Sequence, residues 1–354
     1  MKETLLHDTE KGEIFFNNMS MHVWRRVSPH RIQSEFEGII GPAARVIINE
    51  AFKKVSAEIF LNLAAKYAQL EKENPSGFAI KLLRELRKYG YGVPELMLID
   101  ERHGYAKIRV ANCFNKEGYG KTDKPVCYMM EGILASLFER VFRRKAACRE
   151  TKCSATGEPY CEFTVTSYNI SVRPGRKTPR RPKEKLVPVE IGFRPEKGEI
   201  VFKKTLSILV PRGTHLRLEQ ESQKIIGKGT KRIFYLIGRT AGTHFTRKNI
   251  AFRVISLIAR MNKKKAFSKM AEIGSMAGSG RYEFELDRDH IKVKLFNSFN
   301  AQGAKSKEPL CHVVAGVISG TSDMILGKRV HTEEVKCIAM GNPFCEFHVK
   351  PEKE

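Results

Sequence analysis

Apolar positions along the chain follow two periods, and both occur twice in the same order. Short alternating runs open the chain at "EIFFNNMSMHVW" from Glu13 and return as "EIVFKKTLSILV" from Glu199. Alternation puts every second side chain on one face, so these runs predict half-buried strands. Helical spacing follows over 32–55, 57–71 and 77–88. There Phe60, Leu63, Ala64 and Tyr67 recur every third or fourth residue, as do Ala79, Leu82, Leu83 and Leu86. A hairpin-like pair comes next, "ELMLIDE" then "YAKIRVANCF", with "YEFELDRDHIKVKLF" at the same place in the second half. A further helix is expected to begin at Cys127 and again at Cys311. Gly132, Ala135, Ala315 and Gly316 keep it small where another backbone can approach. Two strands close each unit.

One unit of about 150 residues is therefore written twice, too long for a solenoid repeat. "IIGPAARVI" from Ile39 matches "IIGKGTKRI" from Ile225, and "CYMMEGILAS" from Cys127 matches "CHVVAGVISG" from Cys311. Strands cluster at the ends of each unit instead of alternating with helices. This predicts an α+β fold of mixed helices and antiparallel sheet, present in two copies. The expected boundaries are a first domain over 1–168, a basic Pro-rich linker over 169–190 and a second domain over 191–354. The linker carries "SVRPGRKTPRRPKEKLVP", which has no periodic apolar face.

Composition narrows the class. No apolar run reaches the roughly 18 residues that span a bilayer, and "MKETLLHDTEKGEIFF" has no apolar leader region. The expected location is cytoplasmic, where the eight cysteines are thiols or metal ligands and not disulfides. Against 39 acidic residues stand 63 Lys and Arg, a formal charge of +24, which favours a phosphate-rich partner.

The cysteines carry the sharpest chemistry. "ETKCSATGEPYCEF" from Glu150 and "EVKCIAMGNPFCEF" from Glu334 agree at nine of fourteen positions. With the cysteine upstream they give Cys127, Glu150, Cys153 and Cys161, then Cys311, Glu334, Cys337 and Cys345, at gaps of 23, 3 and 8 in both copies. Three thiolates and a carboxylate suit a tetrahedral divalent ion, zinc above all, so two structural zinc sites are predicted. Buried inert thiols are the bland alternative. An open, catalytic zinc is the sharp one, if the glutamates do not bind. No H-E-x-x-H or H-x-E element stands near either set. Cys113 and Cys148 face Asn297 and Thr332 in the second copy and fall outside the pattern. The lone Trp24 and the ten histidines form no legible cluster.

With these residues in hand, both units resemble the 4-vinyl reductase domain family, most closely from "CYMMEG" to "CEFTV" and from "CHVVAG" to "CEFHV". The Cys, Glu-x-x-Cys, Cys spacing is similar to the zinc site of the family's phenol-sensing regulators. That likeness implies that all four residues of each copy bind the ion. It also implies a fold shared with subunits of the TRAPP vesicle-tethering complex, an apolar small-molecule cavity, and pairing of domains, here as an intramolecular pseudo-dimer. It does not imply the reductase activity, because fold does not fix function. No G-x-G-x-x-G follows a strand, and "NKEGYGKT" puts Asn115 where a phosphate-binding loop needs its first glycine.

Charge separates the copies. Residues 201–270 carry +15, whereas the matching 15–84 carry +4. Two copies of one fold need the same core but not the same surface, so the excess predicts a polyanion-binding face. Its candidate residues are Arg239, Arg247, Lys248, Arg253, Arg260, Lys263, Lys264, Lys265 and Lys269, with Arg173, Arg176, Lys177, Arg180 and Arg181 of the linker. The sequence thus points to a non-enzymatic zinc-containing binding protein whose partner is nucleic acid, RNA before DNA, as in a ribonucleoprotein, and which holds an apolar small molecule. The alternatives are an enzyme for a hydrophobic or tetrapyrrole substrate, or a TRAPP-like scaffold joining other proteins.

Overall fold

A computed structural model describes residues 4–172, 186–248, 250–287, 290–301 and 303–352, without the side chains of 244–254 and 256. The first half opens with a meander of β1 (Leu5–Asp8), β2 (Glu13–Phe16) and β3 (Met19–Arg25). Helices α1 (Ser28–Ile40), α2 (Ala43–Lys66), α3 (Ala68–Glu73) and α4 (Pro75–Leu86) follow. Then come β4 (Val93–Asp100), β5 (Tyr105–Ala111), α5 (Tyr128–Phe142), β6 (Arg144–Lys152) and β7 (Cys161–Ser171). The second half repeats the order. Its strands β8 (Val187–Val189), β9 (Ile191–Arg194), β10 (Glu199–Phe202) and β11 (Thr205–Pro211) precede helices α6 (Thr214–Ile226), α7 (Thr230–Lys248), α8 (Ile250–Met261) and α9 (Lys263–Met276). Strands β12 (Arg281–Asp287) and β13 (His290–Phe296), helix α10 (His312–Leu326), and strands β14 (Val330–Lys336) and β15 (Cys345–Pro351) complete it.

The predicted helix over 32–55 is two helices. Gly41 takes a left-handed φ of 57° and Pro42 follows, so the chain turns there and α2 runs on as one rod to Lys66. Its buried stripe includes Phe60, Leu63 and Ala64, as the spacing predicts. Cys127 and Cys311 do precede α5 and α10. Both helices are buried on nearly all sides, and their glycines permit it. A Cβ on Gly132 would lie 2.3 Å from the Asn49 carbonyl oxygen, and one on Gly316 2.0 Å from that of Tyr235. Residues at both ends of the predicted linker lie in strands: β7 runs to Ser171, and β8 pairs with β1.

Each half has a four-stranded antiparallel sheet, β4-β5-β7-β6 and β12-β13-β15-β14. A third sheet belongs to both halves, in the order β8-β1-β2-β3-β11-β10-β9. Its middle is the antiparallel pair β3 and β11, in which Val23 faces Leu209. These two are repeat counterparts, so the pairing is symmetric about them. The hairpin turns cross over in the same way: Gly280 N–H donates to Gly12 O at 2.9 Å, and Gly92 N–H to Gly198 O at 3.1 Å.

Buried charge seals this junction. Arg212 pairs with Glu13 across the halves at 3.0 Å, and its guanidinium donates to the Asn297 carbonyl. Arg26 repeats the arrangement with Glu199 at 3.9 Å and the Asn112 carbonyl. Asn112 and Asn297 both hold left-handed φ values, 50° and 54°, which asparagine tolerates better than most residues.

Candidate metal centres and the cavity of the second half

The folded chain brings both predicted sets together. In each, one ligand atom per residue lies within 4.8 Å of the others: Cys127, Glu150, Cys153 and Cys161, then Cys311, Glu334, Cys337 and Cys345. The first cysteine precedes the buried helix, the glutamate and second cysteine end an edge strand, and the third cysteine starts the next strand. Gly157 and Gly341, with φ of 103° and 92°, make the turn that returns the chain to the site.

Sulfur separations are 4.0 Å for Cys127–Cys153, 3.7 Å for Cys127–Cys161, 3.6 Å for Cys311–Cys345 and 3.9 Å for Cys337–Cys345. Thiolates about 2.3 Å from one tetrahedral ion would stand about 3.8 Å apart. Each glutamate accepts from the backbone N–H of the first cysteine through Oε2, at 2.9 Å for Glu150 and 2.8 Å for Glu334. The other oxygen, Oε1, is buried in both without a hydrogen-bond partner. Burial, then the neighbouring thiol, pushes both carboxyls up to about 8, and burial pushes Cys127 and Cys311 far up. A cation would relieve that cost and use the orphaned oxygens, so the residues fit a metal ion.

Cys113 does not lie apart from the site, as its sequence alignment suggested. Its sulfur is 3.6 Å from that of Cys127. Because Asn112 and Asn297 share the left-handed turn, its counterpart is Ser298, whose Oγ is 3.4 Å from the Cys311 sulfur. The alignment was off by one residue there. Cys148 belongs to neither group.

A second feature was invisible in the sequence. A cavity of about 410 Å³ lies in the second half, walled by α7, α9 and α10 and closed by β3 and α1 of the first half. Trp24 and two histidines stand on its wall. The Trp24 indole N–H donates to His22 Nδ1 at 3.0 Å, so Nε2 carries the His22 proton and donates to Ser279 Oγ at 3.0 Å. The His215 ring lies 4.7 Å from Trp24 and 5.3 Å from Phe299, and its Nδ1 has no hydrogen-bond partner. Burial holds His215 down at about 3 and His22 well below its usual range, so both rings are neutral. The remaining walls are mostly apolar, Ile237, Phe267, Met270 and Val317 among them.

The repeat explains why this half is hollow. Where α5 carries Met129, Met130, Leu137 and Phe138, α10 carries Val313, Val314, Thr321 and Ser322. Tyr91, whose hydroxyl donates to Leu209 O at 2.7 Å, gives way to Ser279. Comparing the two copies for size would have found the cavity; looking for motifs could not.

The predicted basic face is only partly assembled. Arg239 is not a surface contact: it pairs with Asp323 at 3.0 Å and with Glu352, locking α7 to α10. Arg260, Lys263, Lys264 and Lys265 are exposed at the α8–α9 corner, and Lys269 pairs with Glu272 at 2.6 Å. Arg173, Arg176, Lys177, Arg180 and Arg181 lie outside the described residues, as do the side chains of Arg247, Lys248 and Arg253. Among the described residues no helix is long and apolar enough to cross a membrane.

Comparison with known proteins matches the vinyl-4-reductase domain twice, over residues 106–167 and 291–351. An uncharacterized protein of Methanocaldococcus jannaschii, MJ1642, is 30% identical over 96 residues, 27% of this chain and 58% of that one. The phenol regulator MopR of Acinetobacter guillouiae is 23% identical over 178 residues, 47% of this chain and 31% of that one. The chain spans about half the length of the curated relatives it matches, or less. Among solved structures, the phenol-responsive sensory domain of PoxR aligns at 17% identity and a TM-score of 0.37, over 46% of this chain and 84% of that one. A vinyl-4-reductase family protein of Methanocaldococcus jannaschii aligns at 24% identity and a TM-score of 0.27, over 34% of this chain and 68% of that one. Each matched stretch contains one complete cysteine–glutamate set, and the chain is a protein with two vinyl-4-reductase domains in tandem.

Proposed function

We propose that the protein is a non-enzymatic, ligand-binding regulatory protein. Its two halves act as an intramolecular pseudo-dimer, and each is held by a structural zinc. The ligand is a small apolar molecule with one polar group, bound in the cavity of the second half. The observation that carries this reading is the apolar cavity with His215 Nδ1 unpartnered beside Trp24. A buried polar atom without a partner costs free energy that a ligand hydroxyl would recover, and about 410 Å³ falls in the range of small-molecule sites. MopR, by its name a phenol regulator, supports the ligand class.

Trp24 is the only tryptophan, so its fluorescence reports the cavity wall directly. Titration with phenol should shift that emission saturably, and His215→Ala should weaken binding about tenfold or more. An unchanged emission, or equal affinity in the variant, refutes the reading. Metal analysis of the purified chain should find two zinc ions, and Glu150→Gln with Glu334→Gln should lower retention against a chelator. Nucleic acid, RNA before DNA, is a second reading, favoured by the exposed Arg260, Lys263, Lys264 and Lys265. Its affinity must fall steeply with salt, because phosphate binding releases counterions.

A further inference from the structure

The two metal centres are built alike, but their surroundings differ. Glu131, in the first turn of α5, closes the flank of the first centre and is 1% exposed. Its Oε1 accepts from the Glu150 backbone N–H at 2.7 Å, and its Oε2 from Arg45 Nε at 3.0 Å and Asn49 Nδ2 at 3.3 Å. A carboxylate therefore sits beside the first centre, held by an edge-strand amide and a cation.

The second half has the slot without the carboxylate. Glu131 is replaced by Ala315, Arg45 by Lys231, Asn49 by Tyr235 and Cys148 by Thr332. All four replacements, and Glu334 itself, line a second cavity of about 490 Å³. It opens where Glu131 and Arg45 lie in the first half. Glu334 is part-exposed there, whereas Glu150 is buried.

The groups that hold Glu131 have working counterparts. Strand β14 is an edge strand, and its Thr332 N–H donates outward to the Tyr235 hydroxyl at 3.2 Å. The Glu334 N–H, two residues on, points the same way, and the Ala315 methyl cannot accept from it. The Thr332 hydroxyl is a second donor: the residue is 2% exposed, lines the cavity, and its Oγ1 has no hydrogen-bond partner. Lys231 supplies the cation, and its pairing with the exposed Glu308 is a surface contact that yields readily. The acids nearby are engaged or outside: Glu352 pairs with Arg239, Glu334 accepts from Cys311 N–H, and Glu333 is exposed at the rim. Leu236, Pro309 and Ala315 make the opposite wall apolar.

We propose that the second half binds a small monocarboxylate with an apolar body, its carboxylate seated where Glu131 places its own in the first half. This site is separate from the Trp24 cavity and does not depend on it. Calorimetric titration of the full chain with butyrate tests it. Wild type should bind one butyrate, and butanol, of similar size but uncharged, should bind at least about tenfold weaker. Ala315→Glu should fill the slot from within and abolish binding. Ala315→Glu with Lys231→Arg, which copies the first half's own pair, should do so while keeping the wild-type thermal midpoint. Glu131→Ala should open a second slot and raise the stoichiometry to two. No butyrate uptake by wild type, equal affinity for butanol, or unaltered butyrate binding in both Ala315→Glu variants would each overturn the proposal.

Discussion

Arg212→Ala tests how far the halves depend on each other. Arg212 is 7% exposed, and its partner Glu13 retains 12% of its side-chain surface. Burial lowers the Arg212 pKa, and Glu13 opposes that shift. The substitution removes the 3.0 Å ion pair and the hydrogen bond to the Asn297 carbonyl, and leaves the Glu13 carboxylate enclosed. Only Ser20 Oγ at 2.5 Å and Asn297 Nδ2 at 3.3 Å would still donate to it. Breaking a buried pair on one side costs about 3–5 kcal/mol, mostly for the stranded charge. Glu13→Gln with Arg212→Ala removes that charge, so the double variant should lose only about 1–3 kcal/mol, less than Arg212→Ala alone. Urea unfolding followed by circular dichroism and Trp24 fluorescence measures both values. The two signals should move together, because Trp24 sits on β3, at the shared sheet. The argument fails if Arg212→Ala costs less than about 1 kcal/mol. It also fails if the double variant loses as much as the two single ones combined.

Gly316→Ala should cost about 1–3 kcal/mol or more, read from the same urea curves, because its Cβ would lie 2.0 Å from the Tyr235 carbonyl oxygen and force α7 from α10. His215 should make the protein acid-sensitive. Its folded pKa of about 3 lies below the ordinary 6.5, so between those values the unfolded chain binds the extra proton. The stabilisation is whole above 6.5 and drains as pH falls towards 3, at about 1.4 kcal/mol per pH unit. His215→Gln should flatten the thermal midpoint against pH in that window; an unchanged slope would show that His215 protonates freely. Ser298→Cys gives the second centre the extra thiol that Cys113 gives the first, 3.6 Å from Cys127. With cobalt in place of zinc, its thiolate charge-transfer absorption should strengthen only if that thiol joins the metal.

Much of the fold was legible because it depends on local pattern. The spacing of Phe60, Leu63 and Ala64 needs only the helical period to be read, and the alternation of Ile291, Val293 and Leu295 only the strand period. The cysteine–glutamate sets were legible for another reason. The duplication shows the same 23, 3 and 8 gaps twice, which separates the shared ligands from Cys148. The misplacement of Cys113 shows the limit: one residue of slip moved it from Ser298 to Asn297, and only the left-handed turn at Asn112 and Asn297 fixes the register.

The sequence by itself thus determined the elements, the duplication and the metal-ligand chemistry, since each follows from periodicity, spacing or residue type. Tertiary structure alone decided what lies between the copies. His22, Trp24 and His215 come from different halves and meet only because β3 pairs with β11 beside α6. Arg239 reads as a surface charge until Asp323 and Glu352 meet it from α10 and the chain's end. Both cavities are volumes left by smaller residues against neighbours distant in sequence, and no local pattern records the size of a distant neighbour.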